Sequence, residues 1–144
     1  MRDVVPCGTA VVIFKIAGGQ KRVLLGLRKG SHGAGEWAFP GGRIEPEEPP
    51  IVTASREVRE ETGINLWPED LRLVERYPVD NGLAGDEPWV TVYYGATVHA
   101  EARAIAMEPH RCAGWRWFRR DELPTQDLFG PTARLLQSGA LGRW

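Results

Sequence analysis

Residues 41–64, GGRIEPEEPPIVTASREVREETGI, constrain this chain more than any other stretch. Pro49 or Pro50 suits the first turn of a helix, where the missing N–H would be unpaired anyway. Ile51, Ala54, Val58 and Thr62 recur at helical spacing and form a stripe that can pack on a sheet. Gly63 is a natural stop, because glycine takes up left-handed backbone without cost. The predicted helix therefore runs from Pro49 or Pro50 to Gly63. On it Glu57, Glu60 and Glu61 stand at i, i+3 and i+4 and share one face, where like charges repel by roughly a few tenths of a kcal/mol per pair. They also occupy the last turns, the negative end of the helix dipole, where anions are disfavoured. Selection for stability alone does not produce this arrangement. Clustered carboxylate oxygens are what a hard divalent cation binds, Mg²⁺ first and Mn²⁺ as an alternative.

Taken alone, REVREE also reads as a solvated, salt-bridged helix face, because Arg56 and Arg59 are interleaved with the acids. The surrounding spacing decides against that reading. Gly42 is followed by Glu48, then by Arg56, Glu57, an aliphatic Val58, Glu60, Glu61, Gly63 and an aliphatic Ile64. Seven fixed identities at average residue usage arise by chance about once in 10⁸ starting positions. This pattern resembles the signature of the Nudix hydrolase superfamily, and every fixed position is met.

The chain has 144 residues, enough for one domain with a real core, and residues 1–144 are read as a single unit. A formal net charge of −1 offers no basic excess to neutralise a polynucleotide, so the expected partner is a small molecule and not a nucleic-acid polymer. The N-terminal MRDVVPCGTA lacks a long apolar run and no window approaches a membrane span, so no membrane partner is expected. Cys7 and Cys112 lack metal-ligand spacing and suit a reducing, cytoplasmic setting as packing residues.

Residues 10–16, AVVIFKI, form a β-branched apolar run and read as a buried strand. After the turn AGGQKR, residues 23–27 return as a hairpin partner. Residues 28–35, RKGSHGAG, are a glycine-rich loop. Residues 71–79 and 89–98 are strand candidates separated by the turn-rich DNGLAGDEP. Residues 115–118 form a short strand, RDELP a turn, and residues 128–138 a final helix with Leu135 and Leu136 inward. This mixed order fits an α/β fold with a mixed sheet and helices on both faces.

The resemblance implies the Nudix α/β/α sandwich, with the signature forming a loop–helix–loop. It implies that Glu57, Glu60 and Glu61 ligate the metal and that one glutamate of this group acts as general base; the sequence leaves open which one. Arg56 is expected to hold Glu48 in a charge-assisted pair that orients the loop against the helix. A carbonyl of Gly41 or Gly42 is a further candidate ligand, and Glu45 a candidate supporting acid. Glu108 is the candidate for an additional ligand or base from a late loop, with Asp86 and Glu87 as rivals.

Longer segments, VLLGLRKGSHGAGEWAFPGGRIE, MEPHRCAGWRWFRRDELP and DLFGPTARLLQSG, resemble a MutT-like subgroup that includes triphosphate diphosphatases acting on modified guanine nucleotides. That resemblance implies hydrolysis of a nucleoside triphosphate to monophosphate and diphosphate, and a homodimer. Arg28 and Lys29 are placed to meet phosphates, with solvent exposure the plain alternative for Lys29. Trp37, Phe39, Tyr93 and Phe129 are candidates to stack on a base; Phe129 is preferred for the site and Phe39 for packing. Gly130 stands where subgroup relatives carry an aromatic residue, and Ala38 where some carry a polar one, which leaves a broader nucleotide preference open. Pro78 falls slightly early for the proline of ADP-ribose-cleaving relatives. The arginine-rich segment of coenzyme A diphosphatases is absent. A non-catalytic ligand-binding module, which tends to lose these carboxylates, is disfavoured by their retention.

Overall fold

The computed structural model describes residues 5–30, 32–142 and 144, so Ser31 of the glycine-rich loop and residues 1–4 of the N-terminal stretch lie outside it. Among the described residues the first hairpin is β1 (Cys7–Ala17) and β2 (Gln20–Arg28). Gly18 and Gly19 form its two-residue turn with φ of 60° and 73°, the left-handed pair that matches the twist of the flanking strands. Two short strands follow, β3 (Trp37–Ala38) on β2 and β4 (Gly41–Arg43) on β1. Helix α1 (Pro50–Thr62) comes next, with Pro49 as its N-cap and Gly63 as a left-handed C-cap at φ 76°. The rest comprises β5 (Arg72–Leu73), β6 (Val79–Asp80), a small hairpin of β7 (Leu83–Ala84) and β8 (Glu87–Pro88), then β9 (Val90–Val98), β10 (Cys112–Arg119) and α2 (Gly130–Ser138).

The main sheet runs β10-β2-β1-β9-β5, with β3, β4 and β6 attached to its flanks. The β1–β9 pair is parallel and the other pairs are antiparallel, so the sheet is mixed as expected. Central β1 is apolar on both faces because both are covered. Val11 and Ile13 meet Ala54 and Val58 of α1, while Val12 meets Leu135 of α2 on the other side. The α/β/α sandwich follows from that alternation. Among the described residues no helix is long and apolar enough to cross a membrane.

Three expectations needed correction. Residues 71–79 do not form one strand. Leu73 pairs with Tyr94 and Val79 with Val92, so residues 74–78 stand opposite Tyr93 alone and loop out. Pro78 has no N–H for the ladder and offers only its carbonyl, to Tyr93 N at 2.9 Å. The turn-rich DNGLAGDEP contains the β7–β8 hairpin. The last helix starts at Gly130, two residues later than predicted, because Leu128 and Phe129 are extended and bridge to Trp37.

Candidate active site

Helix α1 presents its acids toward β4, where the double glycine passes close beneath them. The Arg56 guanidinium grips Glu48 with both arms, at 2.9 and 3.0 Å, and Thr53 Oγ1 donates to the same carboxylate at 2.6 Å. These bonds hold the Glu48 carboxyl down at about 2, with the Arg56 bond the largest cause and the Thr53 bond next. Arg56 Nη1 reaches two more acids, Glu57 at 3.2 Å and Glu60 at 3.1 Å. One cation thus ties the loop before the helix to its acidic face.

The acids are not equivalent. Glu60 is turned outward, its side chain 47 % exposed, whereas that of Glu57 is 12 % exposed. Glu57 and Glu61 stand side by side, close enough for the Glu57 charge to act on Glu61. Glu61 Oε2 also accepts the Gly41 N–H at 3.1 Å. Burial first, and then the neighbouring Glu57 charge, push the Glu61 carboxyl well above its ordinary value. Glu57 is also raised, by burial first, with Arg56 opposing. Glu108 arrives from the loop before β10, its electrostatic field reaching Glu61, and its Oε1 is buried without a hydrogen-bond partner.

The donor set fits a hard divalent cation. All the candidate groups are oxygens; two are largely buried acids that resist ionising side by side, and a third has an orphaned oxygen. The fit calls for some side-chain movement, because among the described residues no three acids already converge into a closed cage. Glu57 and Glu61 are engaged with one another, and Glu60 is held by Arg56.

The glycines matter by contact. A Cβ on Gly42 would come within 2.6 Å of Glu57 Oε1, and one on Gly41 would run into the Thr9 carbonyl. The Gly42 carbonyl is already approached by Thr9 Oγ1 at 3.4 Å. Arg28 is half-buried, its guanidinium 4.1 Å from the Phe129 ring centroid and its Nε donating to His32 O. Burial lowers its pKa, and the charges of Glu61 and Glu36 oppose that shift. One face of Phe129 therefore supports Arg28. Lys29 is exposed on the surface, anchored through its backbone N–H to Arg111 O.

Several candidates are placed elsewhere. Tyr93 is fully buried and donates to Pro131 O, and Phe39 is also core. Trp37 packs edge-on to Phe118 at 5.1 Å. The Glu45 side chain is exposed. Asp86, in the turn of the β7–β8 hairpin, and Glu87, which opens β8, are both exposed, and Arg134 of α2 holds that hairpin through Leu83 O. Sequence reasoning missed Thr53 and Trp115, whose indole N–H reaches the Glu61 carbonyl. Thr53, five residues past Glu48, carried a weak local signal; Trp115 carried none. Clefts of about 500 and 440 Å³ border residues 100–103 and 63–66 and are lined by none of these acids.

A charge-pair consequence is testable here. The folded Glu48 carboxyl sits at about 2 against an ordinary 4.5, so its stabilising contribution is complete above 4.5 and disappears as the pH falls to about 2. Denaturant titrations of the wild type and Glu48→Gln should show a gap above pH 5 that closes across that window.

A family model described as the NUDIX domain matches residues 7–137. The chain is 33 % identical to a MutT NUDIX hydrolase from Burkholderia pseudomallei, whose crystal structure superposes with a TM-score of 0.76 over 94 % of this chain and 98 % of that one. It is 30 % identical over 114 residues to the asymmetrical bis(5'-nucleosyl)-tetraphosphatase of Sus scrofa, covering 78 % of this chain and 76 % of the relative. It is 29 % identical over 109 residues to the oxidized purine nucleoside triphosphate hydrolase of Mus musculus, covering 76 % and 65 % respectively. The chain belongs to the Nudix hydrolase family and is MutT-like. Members hydrolyse diphosphate bonds in nucleotide derivatives and generally need a divalent metal ion.

Proposed function

We propose that this chain hydrolyses a nucleoside triphosphate, modified or not, to a monophosphate and diphosphate, with Mg²⁺ as its usual ion. The observation that carries this reading is the buried Glu57–Glu61 pair, with the orphaned Glu108 oxygen beside it and the Arg28 fork nearby. Glu57, Glu60, Glu61 and Glu108 would hold the ion, which supplies charge neutralisation to the diphosphate and its leaving group. Arg28 binds phosphate oxygens with two parallel N–H donors, and Phe129 keeps its guanidinium plane in place. Water attacks phosphorus, the bridging P–O bond breaks, and one of the site's carboxylates takes the proton of the attacking water. Gly41 holds Glu61 by its N–H, and Arg56 keeps Glu48 and the loop fixed against the helix.

A second reading, cleavage within a dinucleoside polyphosphate, is favoured by the similarity to the Sus scrofa tetraphosphatase. ADP-ribose cleavage gains no support from Pro78, whose carbonyl accepts the Tyr93 N–H just before β6. The deciding experiment is product analysis with Mg²⁺ or Mn²⁺ across nucleoside triphosphates, oxidised and methylated guanine nucleotides, dinucleoside polyphosphates, NADH and ADP-ribose. Release of diphosphate from at least one triphosphate is expected; cleavage of ADP-ribose alone overturns the reading.

A further inference from the structure

The last carbonyls of a helix have no partner within it, and those of α1 include the carbonyls of Glu60 and Glu61. Glu61 O accepts the Trp115 indole N–H at 3.1 Å and the Met107 N–H at 3.3 Å, and Thr62 O accepts the Ile105 N–H at 2.9 Å. Residues 105–107 and one tryptophan of β10 thus close the C-terminal turn of α1.

Trp115 reaches that position through a bulge. Cys112 pairs with Arg28 and Trp115 with Gly26, so β10 spends three steps where β2 spends two. The extra residue brings Trp115 opposite Gly26, where its ring has room. A Cβ on Gly26 would lie 2.6 and 2.7 Å from two carbons of that ring. The flat indole crosses this gap and points its N–H at α1. Trp117, two residues on, behaves differently: its ring lies beneath the Lys15 ammonium, 4.3 Å from the centroid.

We propose that Trp115 is a positioning residue for this site, its indole N–H holding the Glu61 carbonyl so that the Glu61 carboxylate stays aimed at Gly41 and Glu57. Glu61 is then fixed at both ends, by Gly41 N–H on the side chain and Trp115 on the main chain. This inference rests on the hydrolytic reading above, yet it can be measured apart from it.

The test is Trp115→Phe, which keeps an aromatic ring over Gly26 and removes the N–H. Mn²⁺ affinity, read by electron paramagnetic resonance without substrate, should weaken about tenfold, the lower end for groups that orient metal ligands. kcat should fall about tenfold with KM within about twofold, while the thermal midpoint changes little. Trp117→Phe should match the wild type in both readouts. Gly26→Ala, which drives the ring off its seat, should reproduce the losses of Mn²⁺ affinity and kcat at some cost in stability, and serves if Trp115→Phe does not fold. Wild-type Mn²⁺ affinity and kcat in folded Trp115→Phe overturn the proposal. Weakened Mn²⁺ binding in a protein whose wild type cleaves no nucleotide would keep the positioning role and remove the hydrolytic reading instead.

Discussion

Glu61→Gln is expected to lower turnover on the order of 10³-fold while leaving the fold intact and the metal-free protein more stable, by about 1 kcal/mol. The amide is nearly the same size and can still accept the Gly41 N–H. It cannot carry the negative charge that a divalent cation requires. The gain in stability has a separate cause. Glu61 is buried beside Glu57 and Glu108, and its pKa is raised well above 4.5. A carboxyl raised on folding gives its full stability below 4.5 and loses it as the pH climbs through the raised value. The stability difference between Glu61→Gln and the wild type should therefore widen from pH 4.5 upward in chelator. A divalent ion at about a hundred times its dissociation constant stabilises the wild type by about 2.7 kcal/mol, which should reverse the order. Thermal melts of both proteins with chelator and with Mg²⁺ or Mn²⁺ decide this. Near-normal turnover in folded Glu61→Gln, or equal melting at every pH in chelator, would refute the role given to Glu61.

Gly41→Ala should destabilise the protein by about 3 kcal/mol, the upper end for forcing a methyl into a filled space. The new Cβ meets the Thr9 carbonyl oxygen, with the Thr9 carbonyl carbon at 2.8 Å and Ala10 Cα at 2.9 Å. These are backbone atoms of β1, paired in register with β4 and followed by the fully buried Val11, Val12 and Ile13. They cannot retreat, so β4 must leave the sheet and carry away the N–H that holds Glu61. Gly42→Ala makes an informative contrast. Its Cβ meets the end of the Glu57 side chain, which can swing aside. Stability should then change little while turnover drops, because the displaced atoms are a candidate metal ligand. Urea denaturation and a diphosphate-release assay on the two variants separate the effects; equal stability losses would contradict this account.

The helix and its acidic face were legible because both follow from local rules. Periodicity within α1 places Ala54 and Val58 on the sheet, and the same 3.6-residue repeat puts the acids together. The two-faced apolar run of β1 made the layered fold readable in the same way. Residues 71–79 misled because an apolar, extended-looking run says nothing of the five residues that loop out opposite Tyr93. Phe129 was preferred for base stacking, yet the fold lays Arg28 across one of its faces. Trp115 was invisible because its role depends on a bulge that only pairing with β2 reveals.

The chain's own order of residues determined that three carboxylates share a helix face before a left-handed glycine, since neighbours along a helix are fixed by its repeat. Tertiary structure alone decided their unequal fates. The burial of Glu61 and the charge beside it come from partners distant in the chain: Gly41 and Trp115 secure it, and the loop before β10 brings Glu108 near, whereas Glu60, paired with Arg56 one turn away, stays exposed.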